Sequence, residues 1–428
     1  MKKWLCILII AATALSLAAC SEKEESADNP DGMSVGHVTQ TETIYLGVLL
    51  PLSGNMSVEA AKAKAAMETA VDIINDSHDI DWDLAQNAGL AKYGNAKLEL
   101  RFADCGNTTV SCLAAVGELI DLGVTAIIGA YDPYMTASAA IVCKNKGVPM
   151  ICGSAKSNRL NNGSYALGDG FVHIAMSTDQ ETQLFLEYIN QINIKNDLGI
   201  KKTAVAYADN SSGNDTEQLL EAALQKAGLE NVALIDYDPL DNDMMEEAGK
   251  MVSNQPDVLF QASAGNDLAA FVPAYVQSKY IPQAIMCYSQ GFWSKEFLSQ
   301  AGKAGVDYYL GCMVRPDLLY SKAAGGSEDS KSRATMLFAY INSLYKTKAN
   351  TDMDSNSLLE FASVMVAVQA VAEAGTTDKQ AIITALHEKT FEAPYLYSGA
   401  IAFDENGQNS IMPAYISRIT SGRYAYEY

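Results

Sequence analysis

Residues 44–75 read IYLGVLLPLSGNMSVEAAKAKAAMETAVDIIN. The apolar run stops at Pro51-Leu52-Ser53-Gly54, and helical spacing begins a few residues later. A buried strand therefore ends in a small-residue turn that feeds a helix. In open α/β sheets the strand ends, loops and helix N-termini converge on one edge, and ligands bind there. The same unit recurs. Strands are expected at Ile44–Leu50, Lys97–Ala103, Thr125–Gly129, Val148–Cys152 and Phe171–Met176. Helical patterns lie between them near Val58–Ile74, Ser111–Leu122, Thr136–Lys144 and, briefly, Asn158–Asn161. Near-continuous apolar strands separated by amphipathic helices predict a parallel sheet covered on both faces.

The pattern then starts again. Helix Gln180–Ile192 precedes strand Thr203–Ala208, and strands Val232–Tyr237, Val258–Ala262, Ala284–Tyr288 and Tyr308–Met313 follow. Helices Glu217–Lys226, Met244–Ser253 and Asn266–Lys279 separate most of them. This predicts a second α/β lobe. Breaks fall near Ser177-Thr178-Asp179 and Arg315-Pro316-Asp317, and Ser321–Arg333 reads as an exposed loop. Three later helices, near Ala334–Tyr345, Ser357–Ala374 and Asp378–His387, have no strands between them and are expected to return to the first lobe. The chain closes with strand-like segments at Gly399–Phe403 and Ile411–Ile419. The expected architecture is α/β, with two doubly wound parallel-sheet lobes joined by a three-strand hinge. Lobe 1 would comprise 42–176 and 317–395, and lobe 2 would comprise 177–316 and 396–428. A hinge of so few residues permits rigid-body closure around a ligand.

The N-terminus reads as an address. Lys2 and Lys3 precede an apolar stretch, Trp4–Ala19, too short and too early for a spanning helix, so 1–19 reads as a secretory signal. Leu17-Ala18-Ala19-Cys20 resembles the lipobox of bacterial lipoproteins. That resemblance implies lipidation of Cys20 and anchoring to a bilayer through acyl chains, which hold better in combination than singly. Residues 20–41 are acidic and contain Pro and Gly, and read as a flexible tether.

About 385 residues remain, more than one core usually holds. The formal charge is −21, or −23 without Lys2 and Lys3. No long Lys/Arg cluster is present, which argues against nucleic-acid binding and direct adhesion to anionic lipid. Six cysteines lie beyond Cys20, an even number in an exported chain. Pairing of Cys105 with Cys112 and of Cys287 with Cys312 competes with buried free thiols. No CxxC occurs and the chain has 4 histidines, so no metal site is expected. His173, inside an apolar strand, reads as a hydrogen-bonded core residue. No G-x-S-x-G elbow, phosphate loop, H-E-x-x-H or dinucleotide fingerprint is present, so neither enzyme activity nor a cofactor is expected.

Three stretches carry a family resemblance: LGVLLPLSGNMSVEAAKAKAAMETAVDIIN, LELRFADCGNTTVSCLAAVGELIDLGVTAIIGAYDPYMTASAAIVCKNKGVPMICGSA and FVHIAMSTDQETQLFLEYI. Together they resemble the type I periplasmic binding proteins, above all the leucine/isoleucine/valine-binding proteins of ABC importers. The resemblance implies a monomer that closes its two lobes on a small solute and docks on an ABC permease. It places ligand contacts at Ser53, Glu59, Tyr131, Asp132, Ser154, Ala155 and Lys156, and in the second lobe at Ser212, Asn266 and Gln290. Several of these depart from the family pattern. Asp132 and Pro133 stand where serines are usual, and Lys156 stands for a threonine. Glu59 and Ser212 replace aromatics, and Asn266 falls near another aromatic position. Gln290 replaces the acid that pairs with an α-ammonium. Asp132 and Glu59 are the acids left to supply that charge, and Lys156 faces a solute carboxylate or Asp132. The expected function is capture of a small polar solute, an amino acid or similar, for an ABC importer. The alternative is a ligand-sensing domain on the same fold.

Overall fold

The computed structural model describes residues 42–428 except 264–266, 289, 318–327 and 412, and describes Ser211, Ser212, Gln290, Lys295 and 328–332 by backbone alone. The first half contains β1 (Thr43–Leu50), α1 (Ser57–Asn75), α2 (Asp83–Gln86), β2 (Lys97–Asp104), α3 (Thr109–Asp121), β3 (Ala126–Ile128), α4 (Pro133–Lys146), β4 (Met150–Cys152) and β5 (Phe171–His173). These strands form one sheet in the order β2-β1-β3-β4-β5, parallel throughout. Side-chain alternation fills both faces. Leu46, Val48, Leu50, Ile128, Ile151 and Val172 enter one core, while Leu49, Ile127, Met150 and Phe171 enter another. The order reverses between β1 and β3, which makes a crevice there.

The second half repeats the plan with α5 (Thr178–Asn196), β6 (Lys202–Ala208), α6 (Ser211–Lys226), β7 (Glu230–Tyr237), α7 (Met245–Val252), β8 (Val258–Ala262), α8 (Asp267–Ser278), β9 (Ala284–Tyr288), α9 (Lys295–Ala304) and β10 (Tyr309–Met313). Next come α10 (Glu328–Ala349), α11 (Ser355–Ala374), α12 (Lys379–Glu388), β11 (Phe391–Ala393), β12 (Gly399–Ile401), β13 (Tyr415–Thr420) and β14 (Arg423–Tyr426). The second sheet runs β14-β13-β10-β9-β8-β6-β7. Its β7-β6-β8-β9-β10 part is parallel and reverses between β6 and β8, matching the first sheet. β13 and β14 add antiparallel beside β10.

α11 packs on α1, β3 and β4 of the first sheet. It is long and apolar enough to cross a membrane, with mean hydropathy 1.4, yet it is 78% buried inside the fold. A helix apolar on all sides is a core helix when its neighbours cover it. Among the described residues the chain passes between the sheets three times: after β5, after β10 and before β13. Ser177 and Gln180 close a capping box at the first passage. At the second, the Arg315 guanidinium holds Asp317 at 2.7 Å and the Tyr415 hydroxyl donates to the Arg315 carbonyl. At the third, Gln408 bridges to His173 of β5.

Several expectations need correction. α9 and β14 were not legible as elements. α9 is short and largely polar, and β14 depends on a two-residue turn, Ser421-Gly422, with both φ angles positive. α10 begins at Glu328, inside the expected loop; the rest of that loop, 321–327, lies outside the described residues. Cys105, Cys112, Cys143, Cys152, Cys287 and Cys312 are all buried free thiols. Cys287 sits in register with Gly311, so Cys312 points to the opposite face of the sheet and cannot reach it.

Gly129, at the end of β3, holds φ +133°, and a Cβ there would lie 2.2 Å from the Leu49 carbonyl oxygen. Gly129→Ala is expected to cost about 2–4 kcal/mol through combined strain and clash. Chemical denaturation should show this as a lower midpoint, and an unchanged midpoint would contradict the tight β1–β3 approach.

Candidate functional site

The loops after β1, β3 and β4 open toward the second sheet. Ser53 is exposed, and its N–H donates to Asp104 Oδ1 at 3.2 Å. Glu59, in the first turn of α1, pairs with Lys62 at 2.8 Å. Asp132 caps α4 by accepting the N–H groups of Tyr134 (2.9 Å) and Met135 (3.0 Å), with Pro133 in the first turn. Both acids are thus engaged by their own helices. Tyr131 is buried and sits at φ +77°, a costly conformation for a bulky residue and one that clusters at ligand sites. Its hydroxyl accepts from Asn356 Nδ2 of α11 at 3.4 Å. Burial, reinforced by Asp354, Glu59 and Glu360, keeps that hydroxyl protonated well above its ordinary range.

After β4 the chain reads Gly153-Ser154-Ala155-Lys156. The Ser154 hydroxyl and N–H both donate to Glu360 Oε1, at 2.6 and 3.1 Å. Glu360 projects from α11 and is fully buried, and its Oε2 has no hydrogen-bond partner. Gly153 makes the room, since a Cβ there would come within 2.6 Å of Oε2. Burial lifts the Glu360 carboxyl to about 7 against the opposing Ser154 bonds. The Ala155 carbonyl accepts from His173 Nε2. His173 Nδ1 meets Asn161 and Gln408, and burial lowers its pKa to about 4. His173 is therefore the hydrogen-bonded core residue expected.

Lys156 does not reach Asp132. Its Nζ pairs with Glu181 Oε2 at 2.9 Å, with the two side chains 11% and 2% exposed. The ammonium also lies 5.3 Å from the Trp293 ring, whose Nε1–H donates to the Cys312 carbonyl. Lys156 follows β4 of the first sheet, and Glu181 lies in the first turn of α5, which leads into the second. Thr178, Gly213, Thr216, Ala262, Ser263 and Tyr288 surround the pair. The remaining space is a cavity of 10 Å³, room for about one water. The two sheets have closed on each other at this point.

The fold therefore sets Tyr131, Ser154, Ala155 and Lys156 at the ends of β3 and β4, where Lys156 lines the cavity and the other three are buried, and it sets Ser53 and Glu59 after β1, outside that cavity. Ser212 lies in the first turn of α6 and Gln290 in the 3-10 turn Gln290–Trp293, both at strand ends of the second sheet. Asn266 lies outside the described residues. Sequence reasoning missed Glu181 and Glu360. Glu181 looked like an ordinary first-turn acid of a capped helix, and Glu360 like a helix residue remote from the strand ends. Their roles come from what packs against them.

The sequence profile of the periplasmic binding proteins matches residues 43–423, and the chain belongs to that family. Leu/Ile/Val-binding protein homolog 3 of Brucella melitensis is 22% identical over 372 residues, 86% of this chain and 89% of the relative. The fold is shared with the branched-chain amino acid transporter substrate binding protein LivJ of Streptococcus pneumoniae, solved with isoleucine (20% identity, TM-score 0.66, 90% and 98% of the two chains). It is shared also with a Rhodopseudomonas palustris ABC-transporter solute binding protein solved with 3,4-dihydroxy benzoic acid (18%, 0.67, 90% and 96%). Such proteins are extracytoplasmic substrate-binding components of ABC transporters, and they bind small molecules without transforming them.

Glu360 and His173 set opposite pH slopes. Glu360 binds its proton more tightly in the fold than in the unfolded chain, so its contribution to stability declines as pH rises from 4.5 toward 7. Above that window the buried charge costs on the order of 3 kcal/mol. His173 resists protonation in the fold, so its contribution is lost as pH falls from 6.5 toward 4. Glu360→Gln should accordingly gain thermal stability over the parent at pH 8 relative to pH 5. A melting-temperature difference that stays flat across this range would rule out the raised carboxyl.

Proposed function

We propose that this chain is an exported lipoprotein, anchored through acylated Cys20, that captures a small polar solute between its lobes and delivers it to an ABC importer. The lobes divide after 176, after 316 and after 395. The protein acts as a monomer. The solute is an amino acid or similar zwitterion, and the observation that carries this reading is the buried Lys156–Glu181 pair where strand-end loops of both sheets meet. A buried ion pair stabilises a fold little better than apolar side chains of the same volume. Its presence at a cleft makes sense if a ligand exchanges partners with it. A carboxylate turns to Lys156 and an ammonium turns to Glu181, so each charge stays compensated. Glu181 then replaces the acid absent at Gln290. Tyr131, Ser154 and Ala155 line the first-lobe side. An aromatic monoacid would claim Lys156 and strand Glu181 as an unpaired buried charge, a cost of several kcal/mol. The likeness to Leu/Ile/Val-binding homologues supports the same class.

Thermal shift of the full chain against amino acids, amides, organic acids and short peptides tests the reading. A true ligand at 100 times its Kd adds about 2.7 kcal/mol. The neutral pair Lys156→Met with Glu181→Gln should keep the fold and lose about 2–5 kcal/mol of binding. Undiminished binding by this double variant would remove the site from this cleft. Cys20→Ser should move the protein from the membrane fraction to the soluble exported fraction, and continued membrane retention would contradict acyl anchoring.

A further inference from the structure

The cavity around the Lys156–Glu181 pair has a second chemical property besides its charge: its wall is rich in hydroxyls. Thr178 opens α5, Thr216 lies in α6, Ser263 follows β8 and Tyr288 ends β9, and all four line the space beside the ion pair. All four are buried. The Tyr288 and Thr182 hydroxyls share a hydrogen bond of 2.8 Å, and the Ser263 hydroxyl donates to the Tyr288 carbonyl at 3.4 Å. A hydroxyl carries one hydrogen and two lone pairs, so one such bond does not exhaust it. Gly213 and Ala262 complete the wall. A Cβ at Gly213 would clash with the Ala208 carbonyl oxygen, so bare backbone stands there. Among the described lining residues, Ala262 is the only purely aliphatic side chain, and Lys156 and Glu181 are the only charged ones. The flanking runs Ser211-Ser212-Gly213 and Ser263-Ala264-Gly265-Asn266 add no charge and no branched aliphatic residue.

We propose that the solute is an α-amino acid whose side chain is uncharged and hydrogen-bonding, a hydroxyl or a carboxamide, and that Thr178, Thr216 and Ser263 select it. The inference rests on the zwitterion reading above and names the class within it. The α-carboxylate and α-ammonium take Lys156 and Glu181, so the described lining holds no charge to compensate a third. A charged side chain would therefore be buried unpaired, which binding does not repay. A branched aliphatic side chain would bring neither donor nor acceptor to the hydroxyls it dries, and polar groups desolvated without a new bond count against binding. The discrimination is asymmetric. A pocket that bonds a solute's polar group rejects the analogue lacking it far more strongly than an apolar pocket rejects an added hydroxyl. Selection lies in these strand-end and helix-start residues, and the two sheets alone do not dictate it.

Thermal shift of the full chain compares L-serine, L-threonine, L-asparagine and L-glutamine with L-valine, L-leucine and L-isoleucine, and with L-aspartate and L-lysine. At least one of the first four should stabilise the protein at a concentration about 10²-fold below that needed for any of the others. Thr216→Val with Ser263→Ala leaves Lys156 and Glu181 in place, and in it that ratio should fall about tenfold while circular dichroism shows the parent fold. Should this variant not fold, the ranking in the unaltered protein decides alone. Equal or stronger shifts with valine, leucine or isoleucine would overturn the inference and leave the zwitterion reading standing. So would a preference for aspartate or lysine, or a ratio that the folded double variant leaves unchanged. Shifts from none of these amino acids would overturn the inference and the zwitterion reading together.

Discussion

Parallel strands deliver all their C-terminal ends to one edge, and every functional feature of this protein follows from doing so twice. Each sheet reverses its strand order once, between β1 and β3 and between β6 and β8, and each reversal leaves a crevice where loops diverge. Helices on both faces make the sheets rigid, so the loops are the part free to specialise. Setting two such edges face to face gives a cleft whose walls are loop residues, and three chain crossings join its two sides.

The cleft is organised by charge compensation. Lys156 and Glu181 neutralise each other at its base, and Arg159 and Asp215 do so farther out. Glu360 satisfies the Ser154 hydroxyl and amide from behind, which takes two strand-end donors away from any solute carboxylate. That leaves Lys156, paired with Glu181, as the cation that lines the cavity. The buried His173 locks the same loop from the other side through the Ala155 carbonyl. Ser154-Ala155-Lys156 is thus held by α11 below and by β5 beside it.

Most of the fold was legible from residues alone. The apolar runs of β1, β8 and β9 are continuous because both faces of a parallel sheet are buried, and such runs read as strands without alternation. The return of α10–α12 to the first lobe followed from three helices without strands between them, and α11 does pack on α1. Elements set by a turn were harder: β14 exists because Ser421 and Gly422 both adopt positive φ, which composition barely signals. The Cys287–Cys312 pairing failed on register, because β9 and β10 align Cys287 with Gly311 instead of Cys312.

The candidate site divides along the same line. Hydrophobic periodicity is local, so the sequence by itself determined two α/β units and the turns at their strand ends. Charge partnership is nonlocal. That Glu181 meets Lys156 and that Glu360 reaches Ser154 across 206 positions was decided only when the helices packed, whereas Asp132 and Glu59 are engaged locally, by their own helices. The physical reason is that a carboxylate's role depends on which cation or donor lies within a few ångströms and how much water is excluded, and neither is encoded in its neighbours along the chain.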